Sequence, residues 1–140
     1  VRHRIIRPLA LALRRILLRR FPPYVDVRVY LNADPGAMLR GYRTGAPLTL
    51  AYHCRLLIDP DDGADAIELL DRVYAAFNGH PDTDLDNAHT RAWYSQGHRS
   101  LSVGDVIVLD DDLVYARSTF GWLSLPPSSA PRRPPTSSSL

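Results

Sequence analysis

Lysine is missing from the 140 residues, and all 17 basic residues are Arg. We read this as a coding bias toward GC-rich codons, not as chemistry. Cysteine is nearly missing. Cys54 stands alone, so no intrachain disulfide forms and no cysteine cluster for zinc exists. A reducing cytoplasm is the expected compartment. There is no unbroken apolar run of the ~18 residues that a membrane-crossing helix needs. Acid is absent from residues 1–20, which hold seven Arg, while residues 21–125 set eight Arg against all fifteen acidic residues. The net charge of +2 therefore hides a basic end on an acidic body. Nucleic-acid binding relies on a basic face that neutralises phosphates. The acidic body argues against it, which leaves nucleic-acid binding through the N-terminal arm as a third-ranked reading.

What is present predicts one domain over 24–125, of α+β class. An antiparallel sheet of four or five strands packs on one main helix, with an extension at 1–23 and a disordered Pro/Ser/Arg tail at 126–140. In the extension Ile5, Ile6, Leu9, Ala12, Leu13, Ile16 and Leu17 share one side of a helical wheel. Arg4, Arg7, Arg14 and Arg15 share the other. This is a basic amphipathic helix starting near Pro8, suited to weak contact with an anionic membrane surface or to docking on the body. Its separation from the body by Pro22-Pro23 predicts that it is dispensable for folding.

Val25 to Leu31 alternates strictly, with Val25, Val27, Val29 and Leu31 facing in and Asp26, Arg28 and Tyr30 facing out. Asp34 and Pro35 predict a short helix through Arg40, stopped at Gly41. Leu48 to Ile58 reads as a second strand with Leu48, Leu50, Tyr52 and Cys54 on one face. Residues 64–78 form the main helix, capped by Asp61 or Asp62, with Ile67, Leu70, Val73, Tyr74 and Phe77 on its apolar side. Asp65, Glu68, Asp71 and Arg72 face water. His80–Ala88 reads as a loop and Thr90–Gln96 as one short helical turn.

The densest signal runs from Gly97 to Trp122. Leu101 and Val103 alternate with Ser100 and Ser102 as a half-buried extended segment. Gly104-Asp105 breaks it, with Gly104 expected at positive φ. Val106–Leu109 and Leu113–Arg117 form a hairpin around Asp110-Asp111-Asp112, which should face water. Phe120-Gly121-Trp122 starts a third strand or closes two rings over the core.

The run from Ser100 to Ile107, with Tyr115, Ser118 and Phe120-Gly121-Trp122 after it, resembles the signature of the YodL-like family. Tyr74, Phe77 and Asn78, followed by Pro81, match the helix that precedes this signature, so the resemblance covers about residues 64–123. The family commonly has Ser at the position of Gly104 and a shorter linker than 79–97. The resemblance implies a small domain of phage or conjugative-element proteins, with no catalytic residues or ligand settled for the family.

Three constellations bear on chemistry. Asp82, Asp84 and Asp86 have the spacing that opens a calcium loop. However, Asn87 stands where Gly is required and Trp93 where a bidentate Glu is required. His80, His89 and His98 flank that stretch but fit no short metal motif, so no metal or cofactor is expected. His98, Ser100, Ser102 and Asp105 include the residue types of a nucleophilic triad, but neighbours on one strand point to opposite faces. Cys54, among apolar neighbours, reads as inert core. The leading expectation is a non-catalytic module that binds an unidentified protein partner. Its contacts would come from Trp93, Tyr94, His98, Arg99, Ser100, Ser102, Asp105, Tyr115, Phe120 and Trp122, because aromatics and Arg dominate interface energetics. The alternative is an enzyme or metal-binding domain built from the His80–Asp105 region.

Overall fold

The computed structural model describes residues 23–59 and 65–132. The expected N-terminal helix, the turn at 60–64 and the tail from 133 lie outside the described residues. Five strands form one antiparallel sheet: β1 (Tyr24–Asn32), β2 (Leu48–Leu57), β3 (Val106–Leu109), β4 (Leu113–Ser118) and β5 (Gly121–Leu125). Their spatial order is β2-β1-β3-β4-β5. The helices are α1 (Ala37–Arg40), α2 (Ala66–Ala76) and α3 (Asp84–Ser95). The α+β architecture thus matches the pattern of alternating and helical segments, with two helices on the sheet where one was expected.

β1 is central and pairs with β2 and β3 on its two sides. Its side chains are buried on both faces of the sheet, which corrects the outward assignment of Arg28 and Tyr30. The sheet therefore has two cores. On the helix side Val25, Val27, Val29, Ile107, Leu109 and Tyr115 meet Leu69, Leu70, Val73, Phe77 and Trp93. On the other side Tyr30, Val106, Val108, Val114 and Ala116 form a smaller cluster. The face expected for β2 is also corrected. Val29 pairs with Tyr52 but Tyr30 pairs with Leu50, so Ala51 is an extra residue. Such a bulge reverses the faces. Tyr52 and Cys54 stay on the helix side, while Leu48 and Leu50 turn to the other.

α2 starts at Asp65, whose side chain accepts the Glu68 N–H. The cap is therefore Asp65 itself, not Asp61 or Asp62, because an N-cap oxygen must reach the third helical amide. α1 also begins late. Asp34 accepts the Gly36 N–H at 3.0 Å in a local turn, and Gly36 is the cap residue. The loop expected at His80–Ala88 is largely helix. Thr83 caps α3, accepting the Asp86 N–H, and the acids Asp84 and Asp86 in the first turn favour the helix dipole. Residues 100–105 form no strand, although Leu101 is buried and donates its N–H to the Phe77 carbonyl at 3.2 Å.

The hairpin β3–β4 forms as expected, and along β4 Val114 and Ala116 lie on the opposite face from Leu113 and Tyr115. Asp111 and Asp112 face water as expected, and Asp110 is half-buried. Asp110 accepts the Asp26 N–H at 3.0 Å, and Asp111 accepts from Arg28 at 2.8 Å. Of the two rings expected over the core, only Trp122 is buried; Phe120 is 82% exposed. Past Pro126, where the disordered tail was expected, a 3-10 turn spans Pro127–Ser129 and Ala130 packs on the second core.

Candidate functional site

Of the residues singled out between Trp93 and Asp105, Arg99 and Ser102 gather on one carboxylate, that of Asp105. Asp105 precedes β3 and is only 2% exposed. Oδ1 accepts the Asn32 N–H at 2.8 Å and Arg99 Nη2 at 2.8 Å. Oδ2 accepts the Ser102 N–H at 2.8 Å and Arg99 Nη1 at 2.7 Å. Burying a charge is costly unless it is paired and bonded, and here both oxygens are doubly bonded. Asn32 closes the ring from β1: its Nδ2 donates to the Gly104 carbonyl at 2.9 Å. The bonds from Asp105 push Arg99 above its ordinary range, against the opposing pull of desolvation.

Gly104 has φ +94°, as expected, and for a second reason as well. A Cβ there would lie 2.6 Å from Ala37 Cβ. The glycine lets α1 lie against the turn while its N–H bonds the Arg117 carbonyl at 2.9 Å.

The triad types do not form a triad. His98 Nε2 bonds Gln96 at 3.0 Å and its ring lies 4.5 Å from that of Trp93. Ser100 Oγ bonds the Tyr94 hydroxyl at 2.8 Å. Ser102 Oγ accepts from Arg99 at 3.3 Å. Asp105 has no hydrogen-bonding capacity left to orient an imidazole.

The aromatic set is split. Trp93 is fully buried, stacked on Phe77 at 4.5 Å, with Nε1 donating to the Arg99 carbonyl at 3.0 Å. Tyr115 is buried, its hydroxyl held protonated by desolvation first and Asp65 second. Trp122 Nε1 donates to Asp71 at 2.9 Å, and Arg117 lies over Tyr74 at 4.1 Å and Trp122 at 5.3 Å. Tyr94 is partly exposed. Trp93, Tyr115 and Trp122 thus belong to the core, while Tyr94 and Phe120 reach water.

A second polar group escaped the sequence reading. Arg72, expected in water, reaches from α2 to Asp86 on α3, with Nε on Oδ2 at 2.7 Å and Nη2 on Oδ1 at 2.8 Å. Asp86 is 1% exposed, so this third member of the supposed calcium spacing is already paired. The signal available was Asp86 in the first turn of a capped helix. Arg72 is raised chiefly by this bond. Beside the pair a cavity of about 10 Å³, lined by Cys54, Phe77, Asp86 and His89 among others, has room for about one water. Tyr52 and His89 bond there at 2.8 Å. Burial, with Asp26 and Asp86 adding, pushes the Cys54 thiol up to about 12, the reverse of an activated nucleophile.

Among the described residues no three His, Cys, Asp or Glu side chains gather to hold a metal, and no helix is long and apolar enough to cross a membrane. No family model, curated protein or solved structure matches the chain.

Proposed function

We propose that the protein is a non-catalytic interaction module that binds another protein through the end of the sheet where β1 and β4 finish. One observation carries this reading: large apolar side chains stand in water on well-held backbone. Leu39 is 91% exposed, Met38 66% and Phe120 82%. α1 presents the first two and is pinned by the contact of Ala37 with Gly104. Phe120 sits in the β4–β5 turn, three residues beyond the Arg117 carbonyl that holds Gly104. Exposed apolar side chains on rigid elements are what a partner surface supplies, since ordering costs little on binding.

The Asp105 tie serves this reading by fixing the loop beneath the surface. Of the expected contact residues, Phe120 stays in the proposed surface, and Arg99 and Asp105 become its support. The resemblance to the YodL-like family favours a host or mobile-element protein as the partner, met in a reducing compartment. The enzyme or metal-binding alternative has less support, because Asp105 is saturated and His80, His89 and His98 do not cluster. The nucleic-acid reading rests on residues 1–20, outside the described residues.

The test is the double variant Leu39→Ser, Phe120→Ser. Exposed substitutions change stability by only about 0.5 kcal/mol, so melting should be unchanged. Cross-linking mass spectrometry in host lysate should lose the cross-links that the wild-type protein makes to a single partner. Retention of those cross-links would sink the proposal.

A further inference from the structure

The two faces of the sheet are covered unequally. α2 and α3 lie over one face. On the other, cross-strand pairing aligns Leu50, Tyr30, Val106, Ala116 and Leu123 in one row, and His53, Arg28, Val108, Val114 and Leu125 in the next. The centre of these rows is shielded from water: Val106, Val108, Val114, Ala116 and Arg28 are all buried. Among the described residues, the apolar groups that pack on this cluster are Tyr42, Leu48, Leu125 and Ala130. Leu48 and Leu125 belong to the outer strands of the sheet itself, and the 3-10 turn lies mainly against β4. A loop residue and a turn do not make a layer, and a sheet face of this composition requires one.

We propose that residues 8–20 of this chain dock as a helix across this face. Three observations favour this occupant over a second molecule. The segment has one apolar side, formed by Leu9, Ala12, Leu13, Ile16 and Leu17. Thirteen helical residues span about 20 Å, and four inter-strand spacings span about 19 Å, so the segment matches the width of the sheet. It also joins the body at the right place. Pro23 accepts the Ile58 N–H at 2.8 Å, at the start of β1. The hairpin carrying Asp110, Asp111 and Asp112 lies at the same end, because the Asp110 N–H bonds the Asp26 carbonyl at 2.9 Å. Seven Arg without an acid thus emerge beside a concentration of carboxylates. At this end Arg28, 4% exposed and bonded to Asp111, has a buried Nε with no hydrogen-bond partner.

The full chain carrying Ala10→Cys tests this. The Cys54 thiol, held protonated, leaves the introduced cysteine as the reactive one for a maleimide nitroxide. Docking predicts that the label broadens the amide signals of Val108 and Val114 and spares Leu69 and Leu70 on the helix side. Adding Leu13→Asp should restore the Val108 and Val114 signals to at least half their unlabelled intensity. The proposal is overturned if the label broadens neither face or both faces equally. It is also overturned if the open-face signals stay sharp in buffer while the label immobilises on phosphatidylglycerol vesicles, which would make the segment a membrane element. Broadening that persists in Leu13→Asp would overturn the apolar contact on which the docking is argued.

Discussion

Two buried aspartates each take a bidentate arginine, and they do different work. Asp86 meets Arg72 between α2 and α3, and beyond that pair its carboxylate has no backbone donor at hydrogen-bond distance among the described residues. Asp105 meets Arg99 and also the N–H groups of Asn32 and Ser102, from two segments 70 residues apart. Arg72 is mostly buried, and its Nη1 donates to the Leu57 carbonyl at 3.1 Å. Arg99 is nearly half exposed. The first pair is a strut between two helices. The second ties a loop that has no regular structure of its own to the central strand. The same two side chains thus acquire different weight from the backbone around them, because an orphaned buried amide adds its own cost to that of a broken pair.

The sharpest break in this comparison is Asp105→Ala. It leaves the Asn32 and Ser102 amides without an acceptor, while Arg99 keeps the Ser100 carbonyl, and should cost about 3–5 kcal/mol in urea unfolding. Asp86→Ala orphans no backbone amide and leaves Arg72 its bond to the Leu57 carbonyl, and should cost about 1.5–3 kcal/mol by the same measurement. An equal or reversed order would show that the backbone donors add nothing. Gly104→Val adds a side chain at positive φ and against Ala37, and should cost about 1–3 kcal/mol. Pairing Gly104→Ala with Ala37→Gly should recover the part due to contact and leave the part due to φ. A full recovery would mean that the backbone there is unstrained. At neutral pH the smallest effect belongs to Cys54. The folded thiol titrates at about 12 against an ordinary 9.0. Between these values the unfolded state has lost a proton that the folded state keeps, so stability falls as pH rises through that window. Iodoacetamide at pH 8 should alkylate the folded protein far more slowly than the urea-unfolded chain; equal rates would contradict the burial argument.

Much of the fold was legible because period-2 and helical patterns are local. The inward Val25, Val27 and Val29, the Val106–Arg117 hairpin and the apolar side of α2 all read correctly. Failures arose where the deciding contact was remote. Arg28 and Tyr30 look like outward residues until β1 is known to be central. The bulge at Ala51 leaves no mark in the alternation of Leu48, Leu50 and Tyr52. α3 was hidden because Asp82, Asp84 and Asp86 resemble a polar loop, whereas Thr83 makes them a helix start. Positive φ at Gly104 could be anticipated from a turn signal, but its contact with Ala37 could not. For the candidate site, residue types at Arg99, Ser102 and Asp105 drew attention. Their structural role depends on Asn32, 73 positions from Asp105.

The central claim is that Asp105 holds its loop as firmly as a strand. Native-state hydrogen exchange at the Ser102 amide tests it without any substitution. This amide lies outside every helix and strand, yet it donates to a buried carboxylate oxygen at 2.8 Å. The account predicts protection close to that of the Val108 amide in β3, with both opening only when the domain unfolds. Exchange of Ser102 at the rate of an open loop, while Val108 stays protected, would contradict it.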